Sequence, residues 1–359
     1  MKFILLRVVL VVCFFGQFNS TYSQLDSSAI SCSIHCVCSN DPTPAGVMIS
    51  HVHKKKEWMT SYRYMSMGMS DILKGTESVN QNEVFVNYLM VPDKMRMDMH
   101  MFMGMYGITD RLTTMFMFNY MINTMEMSMF PTATMNMPGM NMNSSSTSSS
   151  VSSMGISDFK FHLMYGLIDQ DNHQLLLSAG VCLPIGSIQL KGMSDDMMYS
   201  NNRLPYAMQL GSGTVDFLPC VNYLFKKNKM TFSSQLSANV RSTTNSIGYN
   251  LGNGVVSNTW FAYNWLENLS SSIRLEGVGS TSIRGYDKTL YAFNELSANP
   301  VNYGGTKINV LIGSSYKFKS RLLKRNRLCL EYGIPIYQKL NGMQMKTHPS
   351  LFTSWSITL

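Results

Sequence analysis

Residues 94–125 read Lys94-Met-Arg-Met-Asp-Met-His-Met-Phe-Met-Gly-Met-Tyr-Gly-Ile-Thr-Asp-Arg-Leu-Thr-Thr-Met-Phe-Met-Phe-Asn-Tyr-Met-Ile-Asn-Thr-Met125. Methionine takes every second position from Met95 to Met105, and alternation resumes at Met115, Met117 and Met121. A period of two puts like residues on one face of an extended strand. Two such strands joined by the short stretch Ile108-Thr-Asp-Arg111 make an antiparallel hairpin.

Working outward, the same alternation predicts strands at about 56–67, 94–107, 111–125, 154–168, 174–186, 208–225, 230–242, 254–266, 269–279, 304–318, 326–339 and 350–359. Their connections alternate in length. Short ones are 108–111, 169–173, Lys226-Lys-Asn-Lys229, Glu267-Asn268 and 319–325. Long ones are 68–93, 126–153, 187–207, 243–253, 280–303 and 340–349. Outer-membrane barrels join their strands by short periplasmic turns and long extracellular loops. The expected fold is therefore all-β, a transmembrane antiparallel β-barrel of about twelve strands over 56–359, with both termini in the periplasm.

Composition agrees. Of 359 residues only 14% are charged, where about 25% is usual in soluble domains. Phe and Tyr each number 18, and after residue 23 no run of about 18 apolar residues forms a helical span. Lys2 and Arg7 flank the apolar stretch Phe3 to Phe15, and Thr21-Tyr-Ser23 supplies small exit residues. Residues 1–23 thus read as a cleaved secretory signal peptide, and 24–55 as a periplasmic Cys/His segment. The net charge of +8 does not imply nucleic acid. Its densest runs, Lys54-Lys-Lys56 and Arg321-Leu-Leu-Lys-Arg-Asn-Arg327, read as turn or boundary segments. The last strand, Leu351-Phe-Thr-Ser-Trp-Ser-Ile-Thr-Leu359, alternates to its end, as a strand read by barrel-assembly machinery does. Besides that machinery, the expected partners are outer-membrane lipid and a small solute or soft metal ion.

Face parity nominates lumen groups. On strand 94–107 the Met face is expected to meet lipid, leaving Arg96, Asp98 and His100 to the lumen. On the first strand Arg63 shares a face with Met59, Met65 and Met67, opposite Trp58, Tyr62 and Tyr64. On the third, Met115, Met117 and Met121 share a face with Asn119, opposite Phe116, Phe118 and Tyr120. Arg63, Arg96, Asp98 and His100 are the expected selectivity residues of a pore that needs no covalent chemistry.

Methionine is the chemical anomaly: 22 of 32 lie between Met59 and Met154. The expected loop 126–153 and its approach carry Met125, Met127, Met129, Met135, Met137, Met140 and Met142, then a Ser-rich tract. Exposed Met-x-Met repeats suit soft Cu(I) or Ag(I), which favour thioether and thiolate ligands. Cys32, Cys36 and Cys38, with His35, form a second candidate site, for which a disulfide, a soft metal or zinc are all open readings.

The stretches Gly46-Val-Met-Ile-Ser-His-Val-His-Lys-Lys-Lys-Glu-Trp-Met-Thr-Ser-Tyr-Arg-Tyr-Met65, Met97-Asp-Met-His-Met-Phe102, Met105-Tyr-Gly-Ile-Thr-Asp-Arg-Leu112, Gly155-Ile-Ser-Asp-Phe-Lys160, Leu183-Pro-Ile-Gly-Ser187, Arg203-Leu-Pro-Tyr-Ala-Met-Gln-Leu-Gly-Ser-Gly-Thr214 and Glu331-Tyr-Gly-Ile-Pro-Ile-Tyr-Gln338 resemble a family of bacterial transporter barrels. That family is similar to the phenol-degradation meta-pathway, porin-like proteins. The resemblance implies an outer-membrane barrel and carries over no catalytic residue.

No nucleophile elbow, His-Glu-x-x-His, Walker loop or dinucleotide fingerprint occurs in the sequence. A non-enzyme is expected: a porin-like transporter giving passive or facilitated passage, linked to Cu(I) or Ag(I) through the Met-rich loop. The alternatives are a structural or adhesive barrel without transport and, remotely, an outer-membrane phospholipase, which needs a Ser activated by His.

Overall fold

Strands whose two faces differ in polarity pair only in registers that keep like faces together, and that rule organises the chain. The computed structural model describes residues 42–129, 148–170, 172–192, 202–290, 295–320, 323 and 325–359. Its strands are β1 (Trp58–Gly75), β2 (Glu77–Val79), β3 (Met90–Gly107), β4 (Leu112–Met129), β5 (Ser148–Ile156), β6 (Phe159–Asp169), β7 (His173–Leu183), β8 (Asp216–Lys227), β9 (Met230–Arg241), β10 (Tyr249–Asn250), β11 (Gly254–Leu266), β12 (Leu269–Ser280), β13 (Arg284–Gly285), β14 (Gly305–Lys317) and β15 (Asn326–Thr358).

Eleven of them form one closed antiparallel ring, β15-β14-β12-β11-β9-β8-β7-β6-β4-β3-β1, with β1 pairing back onto β15. β2 adds a short strand to the end of β1. β5 lies along the upper half of β4 (120–128) and β6 along its lower half (112–117). The expected strand 154–168 is thus two pieces, broken at Ser157-Asp158, where the Ser157 N–H donates to the Asn119 carbonyl. β10 and β13 pair apart from the ring. Among the described residues no helix is long and apolar enough to cross a membrane.

Two expectations about the end of the chain are corrected. The strands expected at 326–339 and 350–359 belong to one uninterrupted 33-residue element, so the ring counts eleven elements, the last of which supplies two adjacent arms to the wall. The loop expected at 340–349 is itself strand. Residues 327–340 of β15 pair with β14, and 340–358 pair with β1. The element therefore folds back on itself, and the Gln338 side chain grips both the N–H and the carbonyl of Thr347 across the fold. The turn falls at Asn341-Gly342, where Gly342 has φ +59°. Asn-Gly is the dipeptide that a tight hairpin with positive φ favours. The expected loop 68–93 is likewise shorter, because β1 runs on to Gly75 and β3 starts at Met90.

β1, β3 and β4 have 18 residues each, about 60 Å of strand at ~3.3 Å per residue. β6 to β14 in the ring have 11 to 13, close to the ~9–11 residues that cross a bilayer. One arc of the wall is thus much taller than the rest. Around the ring the outward positions are apolar and exposed, among them Phe102, Phe118, Phe217, Leu236, Ile273, Ile312, Leu330, Tyr332 and Trp355.

Gly342→Val would place a β-branched residue at positive φ and drive its Cβ into Asn302. The strain of a left-handed residue is roughly 1–2 kcal/mol. The variant is expected to lose part of its heat-resistant, fast-migrating folded band on electrophoresis without boiling.

Candidate functional site: the barrel lumen

The lumen is built by the inward alternate positions of the ring, and the chain's own N-terminal segment occupies it. Residues 42–57 precede β1, and Val47 and His53 are completely buried. Wall side chains hold this segment largely by its backbone. Arg63 Nη1 donates to the carbonyls of Ala45 (2.9 Å) and Val47 (2.8 Å). The Gly46 N–H donates to Glu331 Oε2 at 2.9 Å. Gln235 donates to the Ile49 carbonyl and Asn222 to that of Ser50. The His53 N–H meets Thr113 Oγ1 at 2.8 Å, and Arg327 reaches the Thr43 carbonyl.

The heights of these contacts define the path. Arg63, Arg274, Glu331 and Gln235 each lie five residues inside the short-turn end of their strands, whereas Thr113, Arg327 and Cys329 lie close to that end. The segment therefore enters from the short-turn end, crosses the lumen near Gly46 to Ser50, and returns. It touches β1, β4, β8, β9 and β15, strands from all around the ring. A Cβ on Gly46 would overlap the Arg274 guanidinium and press on Glu331, so only glycine fits there.

That guanidinium anchors the polar arc. Arg274 bonds Glu331 twice, at 2.7 and 3.0 Å, and both side chains are fully buried. It also bonds Asn258 Oδ1 (2.6 Å) and Glu276 Oε1 (2.9 Å), and lies 5.7 Å from the Phe352 ring centroid. Bidentate geometry with four of the five N–H donors directed at oxygens is what makes a buried charge tolerable.

The other arc is thioether. Met59, Met103, Met105, Met115 and Met164 form a buried cluster with Ile49, Leu176 and Cys220 at the plugged end. Towards the long-loop end Met90, Met95, Met125, Met127 and Met208 cluster with Val151 and Leu204, and Met69, Met97, Met129 and Met345 pack against them.

Met208 and Leu204 come from the described residues 202–215 between β7 and β8, which with 184–192 fold inward over the far mouth. Gln209 ties it by bonds to Leu190 and Leu204. The Asp287 N–H donates to the Tyr206 hydroxyl, and Arg203 Nη1 pairs with Asp287 Oδ2 at 2.6 Å. Burial works to raise the Asp287 carboxyl, but bonds from Thr289 and Arg203 outweigh it and hold its pKa below 3.8. Tyr206, Tyr249 and Ile283 form the apolar centre of this cover, and burial pushes the Tyr249 hydroxyl up to about 12.

Of the residues expected in the lumen, Arg63 is there, buried and bonded to the plug. Arg96, Asp98 and His100 are not, and their assignment is corrected. Tyr64 pairs with His100 and Tyr62 with Phe102, whereas Arg63 pairs with Met101, so the charged face of β3 shares the outer surface with the aromatics. There Arg96 Nε meets Asp98 Oδ2 at 2.8 Å, Asp98 accepts from Tyr64 (2.6 Å) and His100 from or to Tyr62 (2.7 Å). The Met face of β3, expected in lipid, points inward instead: Met101, Met103 and Met105 are buried. Isolated charge-bearing positions misled the strand's own parity, and its neighbours decide. Met125 and Met127 are fully buried on the inner wall and Met129 is half-buried; β4 runs on to Met129, so Met127 and Met129 are strand and not loop. Met135, Met137, Met140, Met142, Cys32, Cys36 and Cys38 lie outside the described residues. Among the described residues no three His, Cys, Asp or Glu side chains could hold a metal together, and Cys182, Cys220 and Cys329 are free thiols. His162 Nδ1 lies 3.2 Å from Ser178 Oγ on the inner wall; no carboxylate bonds that ring among the described residues, as nucleophile activation would need. Reasoning from sequence missed Arg274 and Glu331, and its assignment of 24–55 to the periplasm is corrected for residues 43–53, which lie inside the barrel. The available signal was a charged residue amid Ser and Ile on β12 whose inward parity Glu276 shares.

No family model and no curated protein matches the sequence. Solved structures do. The COG4313 outer membrane channel from Pseudomonas putida F1 superposes with a TM-score of 0.56 at 14% identity, over 89% of this chain and 99% of that one. A Pseudomonas aeruginosa FadL homologue (TM-score 0.41, 9% identity, 84% and 90% covered) and the Pseudomonas putida toluene transporter TodX (0.40, 10%, 89% and 96%) are more distant, and no argument rests on them. The likeness is one of fold: this chain has the fold of an outer-membrane channel barrel.

Glu331→Gln leaves Arg274 buried with only Glu276 as counter-charge. The expected loss is about 3 kcal/mol, the low end for a broken buried pair, read as a lower urea midpoint for unfolding. Asp287→Asn is expected to speed amide exchange in the 202–210 cover at neutral pH. The native link, made by a carboxyl with lowered pKa, persists above 3.8 and is lost only as pH falls below that value.

Proposed function

We propose that this protein is a porin-like outer-membrane channel through which small solutes pass by passive or facilitated diffusion. The observation that carries the reading is a closed ring, apolar outside, with one polar and charged arc and one thioether arc inside, whose lumen is crossed by the chain's own segment 43–53. A wall that ends in an apolar exterior suits lipid. A lumen whose occupant is held through backbone carbonyls and the N–H groups of Gly46 and His53 offers solute-like groups the same bonds once that occupant moves. Arg63 and Arg274 are balanced by Glu331 and Glu276 at the level the segment crosses, so small neutral polar solutes are favoured there once the segment withdraws. Outer-membrane location, export through residues 1–23 and recognition of β15 by assembly machinery belong to the same reading.

The Met-rich stretch carries a linked proposal. Residues 130–147 with Met135, Met137, Met140 and Met142, and separately Cys32, Cys36 and Cys38, bind Cu(I) or Ag(I). A Cu(I) competition titration against a colorimetric chelator, on the native protein and on a variant lacking 130–147, tests the loop apart from the inner wall.

A barrel that serves only structure or adhesion is the second reading, favoured by the cover at one mouth and the plug near the other. The two readings part in planar bilayers. Removal of residues 43–53 is expected to raise single-channel conductance several-fold over the native protein. No conductance from either protein would leave the structural reading.

A further inference from the structure

Strand pairing places the inward methionines of β1, β3 and β4 in register. Met59 pairs with Met105, which pairs with Met115. Met65 pairs with Met99, which pairs with Met121. Met69 pairs with Met95, which pairs with Met125. Each rung is three methionines side by side on three neighbouring strands. Directly paired residues hold their Cβ atoms about 4.5–5.5 Å apart, and a Met side chain has three rotatable bonds beyond that point. Three thioethers per rung can therefore converge on one point inside the wall. The rungs follow one another at about 20 Å and about 13 Å along β1, six and four residues at ~3.3 Å each. The rows between them hold Ser61, Met103 and Met117, then Arg63, Met101 and Asn119, then Met67, Met97 and Asn123.

Packing does not require this choice. Strands favour β-branched and aromatic residues, and these stand at Tyr62, Tyr64, Phe102, Phe118, Tyr120 and Ile122 on the outer faces of the same three strands, among polar and charged neighbours. The inner faces select the one apolar side chain that carries a donor atom. Three neutral thioethers at one point suit a soft monovalent cation and disfavour hard ones such as Mg²⁺ or Ca²⁺.

We propose that the β1–β3–β4 wall is a ladder of thioether sites for Cu(I) or Ag(I), with its open site at Met65, Met99 and Met121. The lowest rung lies in the apolar cluster that includes Ile49 of the plug, and the highest packs under Leu204 and Met208 of the cover. Met65 and Met99 of the middle rung are only half-buried, so this rung meets the lumen. Arg63 stands between the lowest and middle rungs, and its charge opposes a cation moving between them. The ladder is a set of binding sites and not a free conduit. It deepens the channel reading by naming a ligand for the lumen, and rests on that reading only for access to the wall.

The test is Ag(I), a redox-stable probe, titrated calorimetrically into the full-length protein folded in detergent, beside M65L/M99L/M121L. Leucine conserves volume and removes the donor, and leaves the 130–147 and Cys32–Cys38 segments unchanged. The expected result is the loss of about one tight Ag(I) equivalent in the variant, or at least a tenfold weaker affinity for that site. Identical titrations, or no Ag(I) uptake by the native protein, would overturn the ladder. Should the variant fail to fold, ¹³C-methyl spectra of the native protein decide: Ag(I) is expected to shift the Met65, Met99 and Met121 methyl signals, and shifts confined to other methionines overturn the proposal. Solute entry into proteoliposomes, measured separately on native protein and variant, isolates the two readings. Ag(I) binding without solute entry sinks the channel alone, and solute entry without Ag(I) binding sinks the ladder alone.

Discussion

An open sheet edge leaves a row of N–H and C=O groups unpaired, and in hydrocarbon each such group costs several kcal/mol. The pairing of β1 with β15, from Met59 against Thr358 to Gly75 against Leu340, removes the last such edge of the ring. Much else follows from that closure. A ring has an inside, so every strand must assign its two faces consistently with both neighbours. β15 must serve β14 with one half and β1 with the other, which makes the hairpin at Gly342 a condition of closure.

Closure also creates a volume that water, side chains or the chain itself must fill. The protein fills it in two ways. A thioether arc on the tall strands β1, β3 and β4 packs against the plug at one end and the cover at the other. A polar arc, anchored by Arg274 and Glu331, holds the plug through hydrogen bonds to its backbone. The grip is indifferent to most plug side chains but strict at Gly46, where the backbone passes against the ion pair.

Much of the ring was legible because period-two alternation with turn residues is a local signal. The strands at 230–242, 254–266, 269–279 and 304–318 lie within a residue or two of β9, β11, β12 and β14. The orientation of β1 and β4, aromatics out and Met in, was also readable from Trp58, Tyr62, Phe116 and Phe118. For β3 the same reasoning failed, since Arg96, Asp98 and His100 bias an isolated strand towards a wet inner face. Pairing with Tyr62 and Tyr64 overrules it, and Asp98 and His100 find their partners in those tyrosine hydroxyls. The two arms of β15 were legible as strands 326–339 and 350–359, but their continuation to a tight turn at Asn341-Gly342 was hidden because Lys339 to Thr347 is polar enough to read as loop. The plug was hidden because its contacts are long-range and use backbone carbonyls, which leave no pattern in side-chain sequence. Met127 and Met129 were assigned to a loop on composition, although they continue the inward alternation of β4.

Plug, cover and thioether arc all depend on one assignment, that the aromatic faces of β3 and β4 meet lipid while their methionine faces meet the lumen. Single cysteines bearing a fluorophore at Phe102, Phe118 and Leu330, and at their inward neighbours Met103, Asn119 and Cys329, test it in vesicles loaded with a lipid-borne quencher. The account requires strong quenching at the first three and weak quenching at the second three. Equal quenching across each adjacent pair, or strong quenching at Met103 and Asn119 with none at Phe102 and Phe118, would contradict it.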